Sequence, residues 1–131
     1  MYSSIVVGTD GSPTAEVAVN HAIGLAVLCG APLTVTLAHE PDDDPEEDTG
    51  ARVAAILTSA HQQAASFGVT VRTEARVGKP VEAILAAAAA NGADLVVVGN
   101  KGMRGARRIL GSVGNDLTHR APCTVLLVYT G

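Results

Sequence analysis

Between residues 99 and 112 the chain reads GNKGMRGARRILGS. Gly99, Gly102, Gly105 and Gly111 are interspersed with Lys101, Arg104, Arg107 and Arg108, and Ser112 ends the run. Glycine lets backbone N–H groups approach an anion closely, and fixed positive charge supports it there. The chemistry suggested is the cradling of a phosphate. Gly99 and Gly102 would form the near side, with Asn100 and Lys101 pointing from the turn. Gly111 and Ser112 would form the far side, contributing an N–H and a hydroxyl. A plain strand-to-helix turn with Ser112 as N-cap would use the same residues. The two readings are compatible, because a helix N-terminus is itself an anion site.

Elements of regular structure must position this run. Leu95 to Val98 is a continuous apolar stretch that opens into it, as expected of a central parallel strand. Residues 4–9, SIVVGT, form a first short strand that stops at Asp10-Gly11. Ser12 can cap the helix that follows, and Pro13 suits its first position. Leu33 to His39 forms the second strand. Residues 69–75, VTVRTEA, alternate in polarity and are expected at an edge. Helices are expected over 51–67, after Pro80, and from about Ser112 to Arg120. Residues 123–129, CTVLLVY, close the chain as a fifth strand. Strands alternating with helices at this period imply an α/β three-layer sandwich, with a parallel sheet covered on both faces. Ligands of such folds sit beyond the carboxyl ends of the strands, where the strand order reverses.

Composition narrows the function. The 131 residues fit one domain spanning 1–131, and 47% hydrophobic content suits a packed core. The net charge of −4 conceals an uneven distribution: seven acidic residues fall between Glu40 and Asp48, where there is no base. Residues 40–50 therefore read as a solvated, flexible acidic loop, and its spacing does not match a calcium loop. Aromatic content of 2% offers no stacking platform for single-stranded nucleic acid, so no nucleic-acid partner is expected. Cys29 and Cys123 form no metal pattern and read as reduced thiols. No apolar run reaches membrane-spanning length, and the start lacks the features of a signal peptide. A cytoplasmic location is the expectation. There is no Walker spacing around Lys101, no nucleophile elbow and no Cys/His metal set, so neither a catalytic nor a metal-ligating group is assigned.

Three segments in order, IVVGTDGSPTAEVAV, VGKPVEAIL and DLVVVGNKGMRGARRILGSV continuing to HRAPCTVLLV, resemble the universal stress protein family in its UspA-type single-domain form. The likeness covers nearly the whole chain apart from the acidic loop. It implies a five-stranded parallel sheet of order 3-2-1-4-5, with Asp10 and Gly99 facing one crevice. By the same likeness Asp10 matches the aspartate that hydrogen-bonds the nucleoside. Thr9 matches a residue beside the adenine, and Ala38 matches the position whose main chain reads the adenine edge. The ATP-binding branch has Gly, two residues, Gly, nine residues, Gly, then Ser or Thr. Gly99, Gly102, Gly111 and Ser112 follow that pattern, except that the spacer 103–110 has eight residues. The resemblance implies an adenine nucleotide, ATP with a divalent cation such as Mg2+, bound for regulation, with slow hydrolysis at most. The short spacer keeps two alternatives open, a cyclic AMP binder and a dimeric interaction protein without nucleotide. The resemblance also implies a homodimer through edge strand 123–129.

Overall fold

A computed structural model of the chain describes residues 1–39, 49–100 and 107–130, giving the backbone alone for 107–112. The element order is β1 (Ile5–Thr9), α1 (Pro13–Cys29), β2 (Leu33–His39), α2 (Thr49–Ser66), β3 (Val71–Val77), α3 (Pro80–Asn91), β4 (Leu95–Gly99), α4 (Arg107–Arg120) and β5 (Thr124–Val128). The five strands form one parallel sheet of order β3-β2-β1-β4-β5. The α/β sandwich and the strand order both match the expectation.

Strand burial follows position in the sheet. β1 and β4, at the centre, are buried at every residue, whereas the edge strand β3 mixes exposed and half-buried residues. Alternate side chains of the central strands enter two separate cores. Ile5, Val7, Leu33, Val35, Leu95 and Val97 pack with α1 and α2. Val6, Val96 and Val98 pack with Ile84 and Ala87 of α3 and Val113 and Leu117 of α4. Each such aliphatic side chain contributes about 1.5–3 kcal/mol when fully buried.

Local chemistry sets the ends of the helices. Ser12 caps α1 by accepting from the Ala15 N–H at 3.2 Å, and Pro13 occupies its first turn. α1 and α3 end in left-handed glycines, Gly30 and Gly92, and α2 is followed by left-handed Gly68. In each case the next residue donates back five positions: Ala31 to Ala26, Val69 to Ala64 and Ala93 to Ala88. This is the Schellman arrangement. It explains why β3 starts at Val71 and not at Val69: Val69 is committed to closing α2.

Two other boundaries differ from the expectation. Thr49 and Gly50 are helical, so α2 takes the last two residues assigned to the acidic loop; residues 40–48 lie outside the described ones. α4 begins at Arg107 and not near Ser112. Arg107, Arg108, Ile109 and Leu110 are compatible with helix, and Gly111 is carried inside it at a cost of about 1 kcal/mol relative to alanine.

The N-terminus is tied to the edge of the sheet opposite the crevice. Asp94 accepts from Ser3 N, Ser3 Oγ and Ser4 N at 2.9–3.1 Å. The Ser3 backbone donor, followed by that of Ser4, holds the Asp94 carboxyl below the usual aspartate range. Among the described residues, no helix is long and apolar enough to cross a membrane.

Candidate functional site

The central strands part at their carboxyl ends. β1 pairs with β4 from Ile5↔Leu95 only as far as Val7↔Val97. Beyond that, Gly8 and Thr9 continue against β2, while Val98 and Gly99 continue against β5. The sheet therefore opens between Thr9 and Gly99, where one connection leaves toward α1 and the other toward α4. This is the topological switch point, the usual place for a ligand in a doubly wound sheet.

The turn after β1 forms one wall. Thr9 and Asp10 are buried, at 3% and 8% exposure. Thr9 Oγ1 accepts from the Gly11 N–H at 3.0 Å, and Asp10 Oδ1 accepts from the Ser12 N–H at 2.9 Å. These two short loops, closed by side chains onto the backbone, orient the Asp10 carboxylate at the start of α1. Gly11 has φ +82, and Ile56 of α2 lies directly over it. A Cβ at Gly11 would stand 2.5 Å from Ile56 Cδ1.

Ala38 faces the opening through its backbone. Successive residues of a parallel strand aim their peptide groups alternately at the two neighbouring strands. Leu33 N–H and His39 C=O both bond on the β3 side, to Thr70 and Gly78. Ala38 lies between these positions in the alternation, so its N–H and C=O point toward β1. The β1 pairing has already ended at Thr9↔Leu37. The Thr9↔Leu37 pair uses the Ala38 N–H, which donates to the Thr9 carbonyl, so only the Ala38 C=O extends past the pairing and borders the opening, where it can offer an acceptor to a planar group.

Gly99 is the buried last residue of β4, and Asn100 follows it half-buried. Asn100 anchors this end of the sheet. Its N–H donates to Val128 O at 2.8 Å, and its Oδ1 accepts from Thr130 N and Oγ1 at 2.7 and 2.8 Å. The oxygen of Asn100 is thus engaged in joining β4 to β5. Lys101 and Gly102 lie outside the described residues. Gly111 and Ser112 fall within the second turn of α4, where only the backbone is described. The structure thus brings Thr9, Asp10, Ala38, Gly99 and Asn100 to one end of the sheet.

A cavity of about 240 Å³ adjoins this turn between α1 and α2, bordered by Thr9, Gly11, Glu16, Val19, Ile56 and Gln63. Gln63 Nε2 donates to Asn20 Oδ1 at 2.6 Å, which bridges the two helices near its far end. The contribution of α2 to this region was not read from the sequence. The available signal was the stripe Arg52, Ile56, Ser59 and Gln63, spaced for one helix face beside the core-facing one. Among the described residues no group of three His, Cys, Asp or Glu side chains converges as a metal site would.

A doubly wound sheet with a buried aspartate after its first strand and a glycine closing its fourth defines a class of α/β domains with a crevice at the switch point. Within that class the chain belongs to the universal stress protein family, whose model matches residues 1–129. A universal stress protein of Mycobacterium tuberculosis is 36% identical, the match covering 98% of this chain and 97% of that one. One from Thermus aquaticus is also 36% identical, over 98% and 99% of the two chains. A solved universal stress protein in complex with cAMP is 35% identical, with a TM-score of 0.81 and 99% of each chain covered.

Proposed function

We propose that this chain binds an adenine nucleotide in the opening between β1 and β4 and acts as a regulatory binding protein rather than a catalyst. The observation that carries the reading is the carbonyl of Ala38, which extends past the last β1 pair into the opening beside the Asp10 turn. The exocyclic amine of adenine is a donor, and a strand-end carbonyl can accept from it. Asp10 would accept from a ribose hydroxyl, with Thr9 and Gly99 flanking the nucleoside. Asn100 would act by holding the base of the loop, while Lys101, Gly102, Gly111 and Ser112 would meet the phosphates. ATP with a divalent cation is the fuller ligand this assignment accommodates.

Cyclic AMP is the second reading. It is favoured by the cAMP complex of a protein 35% identical over essentially the whole chain. It also demands less of a loop whose glycine spacer is eight residues long. A dimer through β5 belongs to the same proposal. Its support is the exposure of Leu127 on the strand that ends the sheet and of Tyr129 just after it, at 45% and 78%. A cytoplasmic setting is proposed with it, in keeping with the two free thiols Cys29 and Cys123.

Calorimetric titration with ATP, ADP, AMP and cyclic AMP, with and without magnesium, tests the reading. Saturable binding of at least one, weakened at least tenfold in Asp10→Ala, is expected. Flat traces for all four would remove the nucleotide and leave an interaction protein.

A further inference from the structure

α2 carries a cation whose position is set by two contacts farther along the helix. Ile56 lies on Gly11, and Gln63 reaches Asn20 of α1. Together they fix the face of α2 turned toward α1 and the β1 turn. Arg52 stands four residues before Ile56 on that face, one helical turn of about 5.4 Å nearer the α2 N-terminus. α2 runs back against the parallel strands, so its N-terminus lies at the carboxyl edge of the sheet, where β1 and β4 part. Long side chains on a helix lean toward its N-terminus, which carries the guanidinium farther over that edge.

The Nε of Arg52 is buried and has no hydrogen-bond partner among the described residues. A buried donor without an acceptor is uncommon, and one on a charged group is costly. Thr36 Oγ1 is the other orphan. It is a neutral hydroxyl within β2, on a residue 1% exposed, whereas Arg52 carries a charge and is as a whole only half-buried. A guanidinium has planar, directed N–H groups that match the oxygens of a phosphate.

We propose that Arg52 is a specificity residue of the crevice: its guanidinium donates to a phosphate oxygen of the bound nucleotide and so distinguishes nucleotide from nucleoside. The assignment rests on the nucleotide reading above. It adds a contact from α2 to a site otherwise built from the ends of β1, β2 and β4.

The test is titration of AMP and adenosine into the wild-type protein and into Arg52→Met and Arg52→Lys. In Arg52→Met, affinity for AMP is expected to fall about ten- to hundredfold, the worth of a charge-assisted hydrogen bond, with adenosine changed less than about twofold. Arg52→Lys keeps the charge and loses the fork, and should recover part of the AMP affinity. A residue that merely packs would not alter the ratio of AMP to adenosine affinity. An unchanged ratio in Arg52→Met, with the wild type binding AMP, overturns the role of Arg52 and leaves the nucleotide site standing. A wild type that binds neither ligand overturns both.

Discussion

Asn100 Oδ1 accepts two hydrogen bonds from Thr130, one from its N–H and one from its hydroxyl, at 2.7 and 2.8 Å. A single side chain thereby fastens the residue after β4 to the segment after β5, at the base of the glycine run. Asn100→Ala should lower stability by about 1–3 kcal/mol, because it strands partly buried donors. Asn100→Asp keeps the acceptor and should retain most of that stability. Urea unfolding of the two variants checks this, and equal losses would show that the oxygen is not what matters.

Gly11 and Ile56 form a second coupled pair. Gly11→Ala places a Cβ at φ +82 and 2.5 Å from Ile56 Cδ1, so it should destabilise by about 1–3 kcal/mol. Ile56→Ala removes the overlap and leaves the dihedral cost. The double variant should therefore be about 1 kcal/mol more stable than the sum of the singles predicts. Strict additivity in equilibrium unfolding would contradict the contact.

Asp94 predicts a pH dependence. Its carboxyl is held below the usual aspartate range, chiefly by the Ser3 N–H. A depressed folded-state value means stabilisation that is complete above the ordinary aspartate pKa. It is lost as pH falls through the lower folded-state value. Asp94→Asn should therefore melt lower than wild type at neutral pH, with the gap closing in strong acid. A gap that persists unchanged at low pH would rule out the ionised carboxylate as its source.

The exposed edge of β5 leads to a prediction about assembly. Wild-type protein should scatter light as a dimer at micromolar concentration, and Leu127→Lys should scatter as a monomer. An unpaired strand edge with Leu127 exposed, and Tyr129 exposed just beyond it, invites pairing, and charge opposes it. A monomeric wild type would contradict this part of the proposal.

The fold was largely legible because its signals are local. Apolar runs marked β1 and β4, Ser12-Pro13 marked the start of α1, and Pro80 marked the start of α3. The displaced boundaries have specific causes. Val69 resembles a strand residue by type, yet its N–H is spent on Ala64 in closing α2. Gly111 suggested loop, and α4 runs through it because its neighbours favour helix. At the candidate site, residues adjoining strand ends were legible, since a strand fixes where its last residue must lie. Arg52 and Thr130 were not. Their places depend on how α2 packs over the Gly11 turn and how the chain leaves β5, and no motif records either. The peptide direction of Ala38 likewise required the register of three strands.

Backbone amide mapping by nuclear magnetic resonance tests the central claim most directly. On titration with ATP and with cyclic AMP, shifts should cluster at Thr9, Asp10, Gly11, Ala38, Gly99 and Asn100, with Ala38 among the largest. Shifts absent from these residues, or confined to the far ends of α1 and α2 near Gly30 and Gly68, would contradict it.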